Sequence, residues 1–332
     1  MSRASSRCRF APGDCCGDAL GSAMANNLRA RFLGCLVGAA IGDAIGARRE
    51  AQGMAPIEQI ATLAADLQCL TYTDDTHMTI GVAESLIACR GFDGEHMARR
   101  FMDNYEAEPW RGYGPGPPRV FRLIRAGEPW QSAAARVYPG GSLGNGSAMR
   151  VAPVALLYFR DLDAVAENAR ATSSITHCHQ LGRDGAALQA YAVALALQLS
   201  AVHRIDPDLV LHRLHSLTRH EVYKEKLAII GDLIPEGEKR KVIALLGNSI
   251  EAPRSVPTAL YCFLKHPDCY TDCILYATSL GGDTDTIACM AGAISGAYLG
   301  IEQIPSSWRA KLENRDYIEN LADRLWGLAT AA

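Results

Sequence analysis

Glycine recurs at every fourth residue from Gly34 through Gly38 and Gly42 to Gly46, and again at Gly292, Gly296 and Gly300. Four-residue spacing stacks positions on one side of a helix, so each set forms a bare stripe on which another backbone can close. A glycine inside a helix costs about 1 kcal/mol relative to alanine, so its repetition implies close packing that offsets the cost. The stripes therefore predict two tightly paired helices. Simple packing would satisfy the glycines alone. The acids at the stripe ends add more: Asp43 lies near the end of the first with Glu50 beyond it, and Asp283 and Asp285 open the second. Tight pairing would bring these acids together.

Two short clusters, Thr73-Asp74-Asp75-Thr76 and Asp283-Thr284-Asp285-Thr286, each precede a helix-like stretch. Taken singly, either is an ordinary N-cap, with extra Asp suited to the helix dipole. A cap needs one such residue, however, and each cluster offers two carboxylates that repel unless a cation lies between them. Carboxylates and hydroxyls are oxygen donors, poor for zinc and good for hard divalent cations. The pair of clusters predicts a site for magnesium or manganese.

The chain has 332 residues and no evident internal linker, so one large domain is expected over 28–332. Lys and Arg number 33 against 36 Asp and Glu, a net charge of −3 that leaves no basic excess for nucleic acid. Eleven cysteines without CxxC spacing suggest reduced thiols and an intracellular protein. Residues 1–27, rich in Ser, Ala, Gly, Arg and Cys, lack the apolar run of a signal peptide and read as a disordered or targeting tail. Arg3, Arg7 and Arg9 hint at a mitochondrial transit peptide, against which Asp14 and Asp18 count. The best apolar run, Phe32 to Ile41, is ended by Asp43 and falls short of a membrane span.

From Leu28 onward the pattern is helical, with Ile80 to Cys89, Asp163 to Thr172, Gly185 to Leu199, Leu209 to Leu217 and Ile287 to Leu299 as the clearest segments. Gly/Pro stretches at Gly112 to Pro118 and Pro139 to Gly146 interrupt them, as do charged residues around Pro235 to Lys241. The fold class is all-α. The loop Gly140 to Ser147 could cradle phosphates with its backbone amides. It matches neither GxxxxGKS/T nor GxGxxG, and alone it reads better as a plain surface loop. Thr176-His177-Cys178-His179 offers zinc ligands, but without a partner Cys pair an ordinary hydrogen-bonding role is favoured.

Six motifs in order carry a resemblance. They are Gly42-Asp43 with Glu50, Tyr72 to Thr76, Arg111 to Gly114, Gly144 to Arg150, Ser255 to Ala259, and Gly281 to Ile287. The chain resembles the ADP-ribosylglycohydrolases, the dinitrogenase-reductase-activating glycohydrolase superfamily, over about residues 30 to 325. Within it the match lies nearest the serine-type ADP-ribosylhydrolases, the third vertebrate paralogue. The resemblance implies a compact all-α fold and two magnesium ions, with manganese as a substitute. Thr73, Asp74 and Asp75 would ligate one ion, Asp283 and Thr286 the other, and Asp285 both. Glu50 falls where this branch carries a mobile glutamate that binds metal when the site is closed and acts in catalysis when ligand enters. Substrate contacts would fall on Gly141, Ser142, Leu143, Gly144, Asn145, His177 and, more loosely, Ile250.

The implied reaction is hydrolysis at C1″ of ADP-ribose in O-linked ADP-ribosyl-serine, poly(ADP-ribose) and O-acetyl-ADP-ribose. Partners would be ADP-ribose-bearing proteins and the polymer, in the DNA damage response of nucleus and cytoplasm, with the mitochondrion a further destination. No membrane or direct nucleic-acid partner is expected, and a monomer is. One departure stands out: relatives hold adenine between two aromatics, whereas Leu143 takes one such position and Tyr138, one residue out of register, is the nearby aromatic. His77 has no assigned role. Cleavage of ADP-ribosyl-arginine, non-catalytic ADP-ribose binding and a structural use of the fold are the competing readings; no ligand position is lost, which disfavours the last two.

Overall fold

A computed structural model of the chain describes residues 16–199, 205–235 and 237–331. Residues 1–15, and with them much of the expected 1–27 tail, lie outside the described residues. The first glycine stripe falls on a helix spanning Cys16–Gly46, the second on a helix spanning Thr284–Leu299. A β-carbon built on Gly34, Gly38, Gly42 or Gly46 would lie 2.4, 2.6, 2.1 or 2.3 Å from the carbonyl oxygen of Gly296, Gly292, Ala288 or Thr284. The partner numbers fall as the glycine numbers rise, so the helices run antiparallel with their backbones in contact. Gly292 and Gly296 answer from the other side, each with no room for a methyl group. Gly300 differs from the expectation: it ends the helix at φ 87°, a left-handed conformation that glycine adopts without strain.

Because backbone meets backbone, no side chain can swing aside to admit a larger residue. Gly42→Ala is therefore expected to destabilise the protein by about 3 kcal/mol or more, at or above the upper end of ordinary overpacking. Gly53→Ala, where an added β-carbon meets nothing within 4 Å, is the neutral control. Thermal denaturation of both variants checks this, and equal melting temperatures would contradict it.

The Thr284–Leu299 helix is buried from Thr284 to Tyr298, as expected of a helix apolar on every side. Around it pack the Cys16–Gly46, Gln180–Gln198, Val256–Lys265 and Tyr270–Ser279 helices. The described residues form seventeen α-helices and no sheet, with three isolated β-bridges. The five segments expected to be helical fall on Asp74–Cys89, Leu162–Ser173, Gln180–Gln198, Pro207–Leu217 and Thr284–Leu299. One expected break is shorter than predicted, since the Gly116–Arg125 helix starts inside it with proline at its first turn, where no amide donor is needed. No described helix is long and apolar enough to cross a membrane.

Candidate active site

Antiparallel pairing sets the C-terminus of the first glycine helix beside the N-terminus of the second. There the Thr284 hydroxyl donates to the Gly46 carbonyl (2.8 Å), which also accepts from the Arg49 amide (2.8 Å). One turn earlier, the fully buried Asp43 accepts from the Thr73 amide (3.1 Å to each oxygen) and hydroxyl (2.8 Å), and from the Thr76 amide (3.0 Å) and hydroxyl (2.6 Å). A carboxylate from one helix thus caps the Asp74–Cys89 helix from outside and ties the first acidic cluster to the glycine pair. Sequence reading placed Asp43 near the acids without giving it this function.

Glu50 lies on the exposed turn after Gly46. Its place is set by backbone bonds from Ala51 to the Gly282 carbonyl (2.8 Å) and from Gly282 to the Gln52 carbonyl (2.9 Å). Gly281 and Gly282 have φ of 70° and 77°, and β-carbons there would strike Gln52, Gly53 and Asn248. Asn248, which the motifs did not single out, accepts from the Asp283 amide (2.9 Å) and donates to the Leu280 and Gly281 carbonyls. Ligand oxygens of Glu50, Asp283 and Asp285 consequently lie within 4.8 Å of one another. Asp74, Asp75 and Thr286 line the same cavity, of about 240 Å³. Thr73 does not line it; its hydroxyl is engaged by Asp43.

Crowded carboxyls in a buried setting hold their protons. Asp285 is pushed up to about 9 by burial and then by the charges of Asp283, Asp43 and Glu50. Asp74 is raised to about 7 by burial and then chiefly by Asp43. Asp75 rises for the same reason, with Asp285 its strongest charged neighbour, and its Oδ2 is buried with no hydrogen-bond partner. An unpaired buried oxygen among repelling carboxylates fits an oxygen-preferring divalent cation. The sign of the pH effect follows. A carboxyl with a raised folded-state pKa binds its proton more tightly when folded, so the stability it contributes is full below its unfolded value and falls as pH rises through 7 to 9. Metal-free protein is expected to melt lower at about pH 9 than at about pH 5, and magnesium to narrow the difference. A metal-free melting temperature that climbs over that interval would contradict the crowding.

The glycine-rich loop closes the opposite wall. It is pinned to the segment around Ile250 by bonds from Asn145 to the Ile250 carbonyl (2.9 Å) and from Ala252 to the Leu143 carbonyl (3.0 Å). Asn145 donates through Nδ2 to Ser255 Oγ and Asp283 Oδ2, joining the loop to the acidic centre. The amides of Gly141, Gly144 and Asn145 are engaged, whereas those of Ser142, Leu143 and Gly146 have no acceptor among the described residues. Three free amides in one loop are what an anionic ligand would use. Ser142, Gly144, Asn145, His177, Tyr138 and Ile250 line the cavity; Gly141 and Leu143 do not. The apolar surfaces at this end are therefore Tyr138 and Ile250, the latter 68% exposed. Gly141 is structural, since a β-carbon there would lie 2.3 Å from the His179 amide.

His77, unassigned from sequence, meets the Tyr113 hydroxyl through Nδ1 at 3.0 Å and packs edge-on against that ring. Arg111 donates to the Tyr72 carbonyl (3.1 Å) and to both oxygens of Glu313 (2.8 and 2.9 Å), and also pairs with Glu108. Together they hold the Gly112 to Pro117 wall against the first acidic cluster. The Thr176-His177-Cys178-His179 run makes no metal site: His177 faces the cavity, while His179 Nδ1 accepts from the Leu181 amide. Among the described residues, the trio of Glu50, Asp283 and Asp285 is the one metal-spaced group of His, Cys, Asp or Glu.

Residues 24–332 match the family model described as ADP-ribosylglycohydrolase. The chain is 40% identical over 291 residues to "ADP-ribosylhydrolase ARH3" of Mus musculus, covering 79% of this chain and 78% of that protein. It is 39% identical over 287 residues to the Homo sapiens protein of the same name, covering 78% and 79%. A solved structure, "ADP-ribosylglycohydrolase-related protein complex", superposes with a TM-score of 0.67 at 25% identity, covering 92% of this chain and 99% of that one.

Proposed function

The chain belongs to the ADP-ribosylglycohydrolase family, and from that premise we propose a magnesium-dependent ADP-ribosylhydrolase with two metal positions. Its reaction is cleavage of the C1″ bond of ADP-ribose in O-linked ADP-ribosyl-serine, poly(ADP-ribose) and O-acetyl-ADP-ribose. The observation that carries this reading is that Glu50, both acidic clusters and a loop with free amides meet on one cavity.

Asp74 and Asp75 would hold one ion, joined by Thr73 through a lone pair its hydroxyl keeps while donating to Asp43, and Asp283 and Thr286 the other, with Asp285 serving both. Bound there, magnesium supplies Lewis-acid polarisation and an anchor for ribose hydroxyls. The protein's own groups do the rest. Free amides of Ser142, Leu143 and Gly146 receive the diphosphate, and Asn145, fixed by Ser255 and Asp283, holds loop and acids in register. The surrounding carboxylates favour the positive charge that develops on the sugar as the glycosidic bond breaks. Glu50, exposed on its turn, moves a proton between water and the leaving oxygen.

Product analysis on serine-modified and arginine-modified peptides with magnesium present tests the reading. Free ADP-ribose from the serine peptide is the expected result. Release from the arginine peptide alone would replace the proposed linkage, and binding without release would make the protein a reader of ADP-ribose.

A further inference from the structure

Beneath the glycine loop lies a cation with no counter-ion. Arg150 is 1% exposed and, among the described residues, pairs with no carboxylate. Its Nη1 donates to the Gly146 carbonyl (3.1 Å), and its Nη2 to the Thr172 carbonyl (3.3 Å) and the Thr176 hydroxyl (2.8 Å). The guanidinium also lies 4.8 Å from the centre of the Phe101 ring. The Thr176 oxygen has a second neighbour, His177 Nδ1, at 2.8 Å.

Hydrogen-bond accounting decides how these three groups are protonated. A guanidinium only donates, so Thr176 accepts from Arg150. Were Nδ1 also to donate to that oxygen, the buried hydroxyl proton would have no acceptor among the described residues, which is costly. With the hydroxyl donating to Nδ1, the Thr176 oxygen, its proton and the ring Nδ1 are all paired, while Arg150 Nε stays buried without a partner among the described residues. The neutral ring then carries its proton on Nε2. That nitrogen meets no protein partner among the described residues and lies beside Gly144 and Gly146, where added β-carbons would come within 3.3 and 3.0 Å of it. Burial and then the Arg150 charge push His177 down to about 3, which agrees with a neutral ring.

We propose that Thr176, oriented by Arg150, is a positioning residue that locks His177 in the Nε2–H tautomer, presenting one N–H donor to an oxygen of the ligand. The ligand's identity as ADP-ribose rests on the function proposed above; the tautomer does not.

Nitrogen-15 histidine labelling reads the tautomer directly in the ligand-free protein, with the His177 signal identified by its loss in His177→Asn. The expected pattern is a neutral ring protonated at Nε2. Thr176→Val, isosteric but without the hydroxyl, is expected to give a tautomer mixture and about tenfold weaker ADP-ribose binding. Thr176→Ser is expected to restore both, which a purely packing role for the threonine would not require. An Nδ1-protonated or doubly protonated ring in the parent protein would overturn the assignment. So would a Thr176→Val protein with unchanged tautomer and affinity. If the tautomer is as assigned and ADP-ribose fails to bind, the proposed function falls and the tautomer assignment stands.

Discussion

Asp285→Ala is expected to lower turnover at least about 10³-fold. Asp285 belongs to the trio with Glu50 and Asp283, and it is the strongest charged neighbour of Asp75 across the cavity. A carboxylate facing both acidic clusters would serve both of the proposed metal positions, so its removal should take charge stabilisation of roughly several kcal/mol from the transition state, and about 4 kcal/mol corresponds to 10³ in rate. The same change has an opposite signature without metal. Deleting one of several repelling carboxyls should raise the melting temperature of metal-free protein above neutral pH, while abolishing the stabilisation that magnesium confers by binding the folded state. Steady-state kinetics and thermal shifts with and without magnesium check both halves. Retention of a full magnesium shift would remove Asp285 from the metal site.

Glu50→Ala should separate chemistry from binding. The turn that carries Glu50 is held by the backbone bonds of Ala51 and Gln52 to Gly282, and the exposed carboxylate makes no hydrogen bond or ion pair among the described residues. The variant should therefore fold normally and keep its ADP-ribose affinity within a few-fold, while turnover falls by the ~10²–10⁴ typical of a lost general acid–base group. Single-turnover kinetics paired with calorimetry of ADP-ribose binding tests this. A near-normal rate would remove Glu50 from the chemistry even with the rest of the site intact.

Much of the architecture was legible because its signals are periodic or local. A four-residue glycine repeat has a meaning on a helix that does not depend on the rest of the chain, so the stripe from Gly34 to Gly46 announced a backbone contact before its partner was known. Thr73 and Asp283 each stand immediately before a helix, where short oxygen-bearing side chains belong. Gly300 was misread for a related reason: spacing places a glycine on a face, but it cannot distinguish the last helical position from the stop that follows it.

By itself, the sequence determined the helical fold, the glycine contact and the oxygen-rich donor types, since each depends on residue identity at short spacing. Tertiary structure alone decided which of these residues meet. Asp43 caps a helix whose N-cap, Thr73, lies 30 residues later, Glu50 reaches Asp283 through a bridge between Gln52 and Gly282, and Asn145 bonds Asp283 from 138 residues away. Arg150 and Thr176 come to bear on His177 only once the glycine loop has folded over them. Such contacts leave no mark in local pattern because their geometry is set by helix packing, and the helices are brought to their spacing by backbones that touch where glycine leaves room.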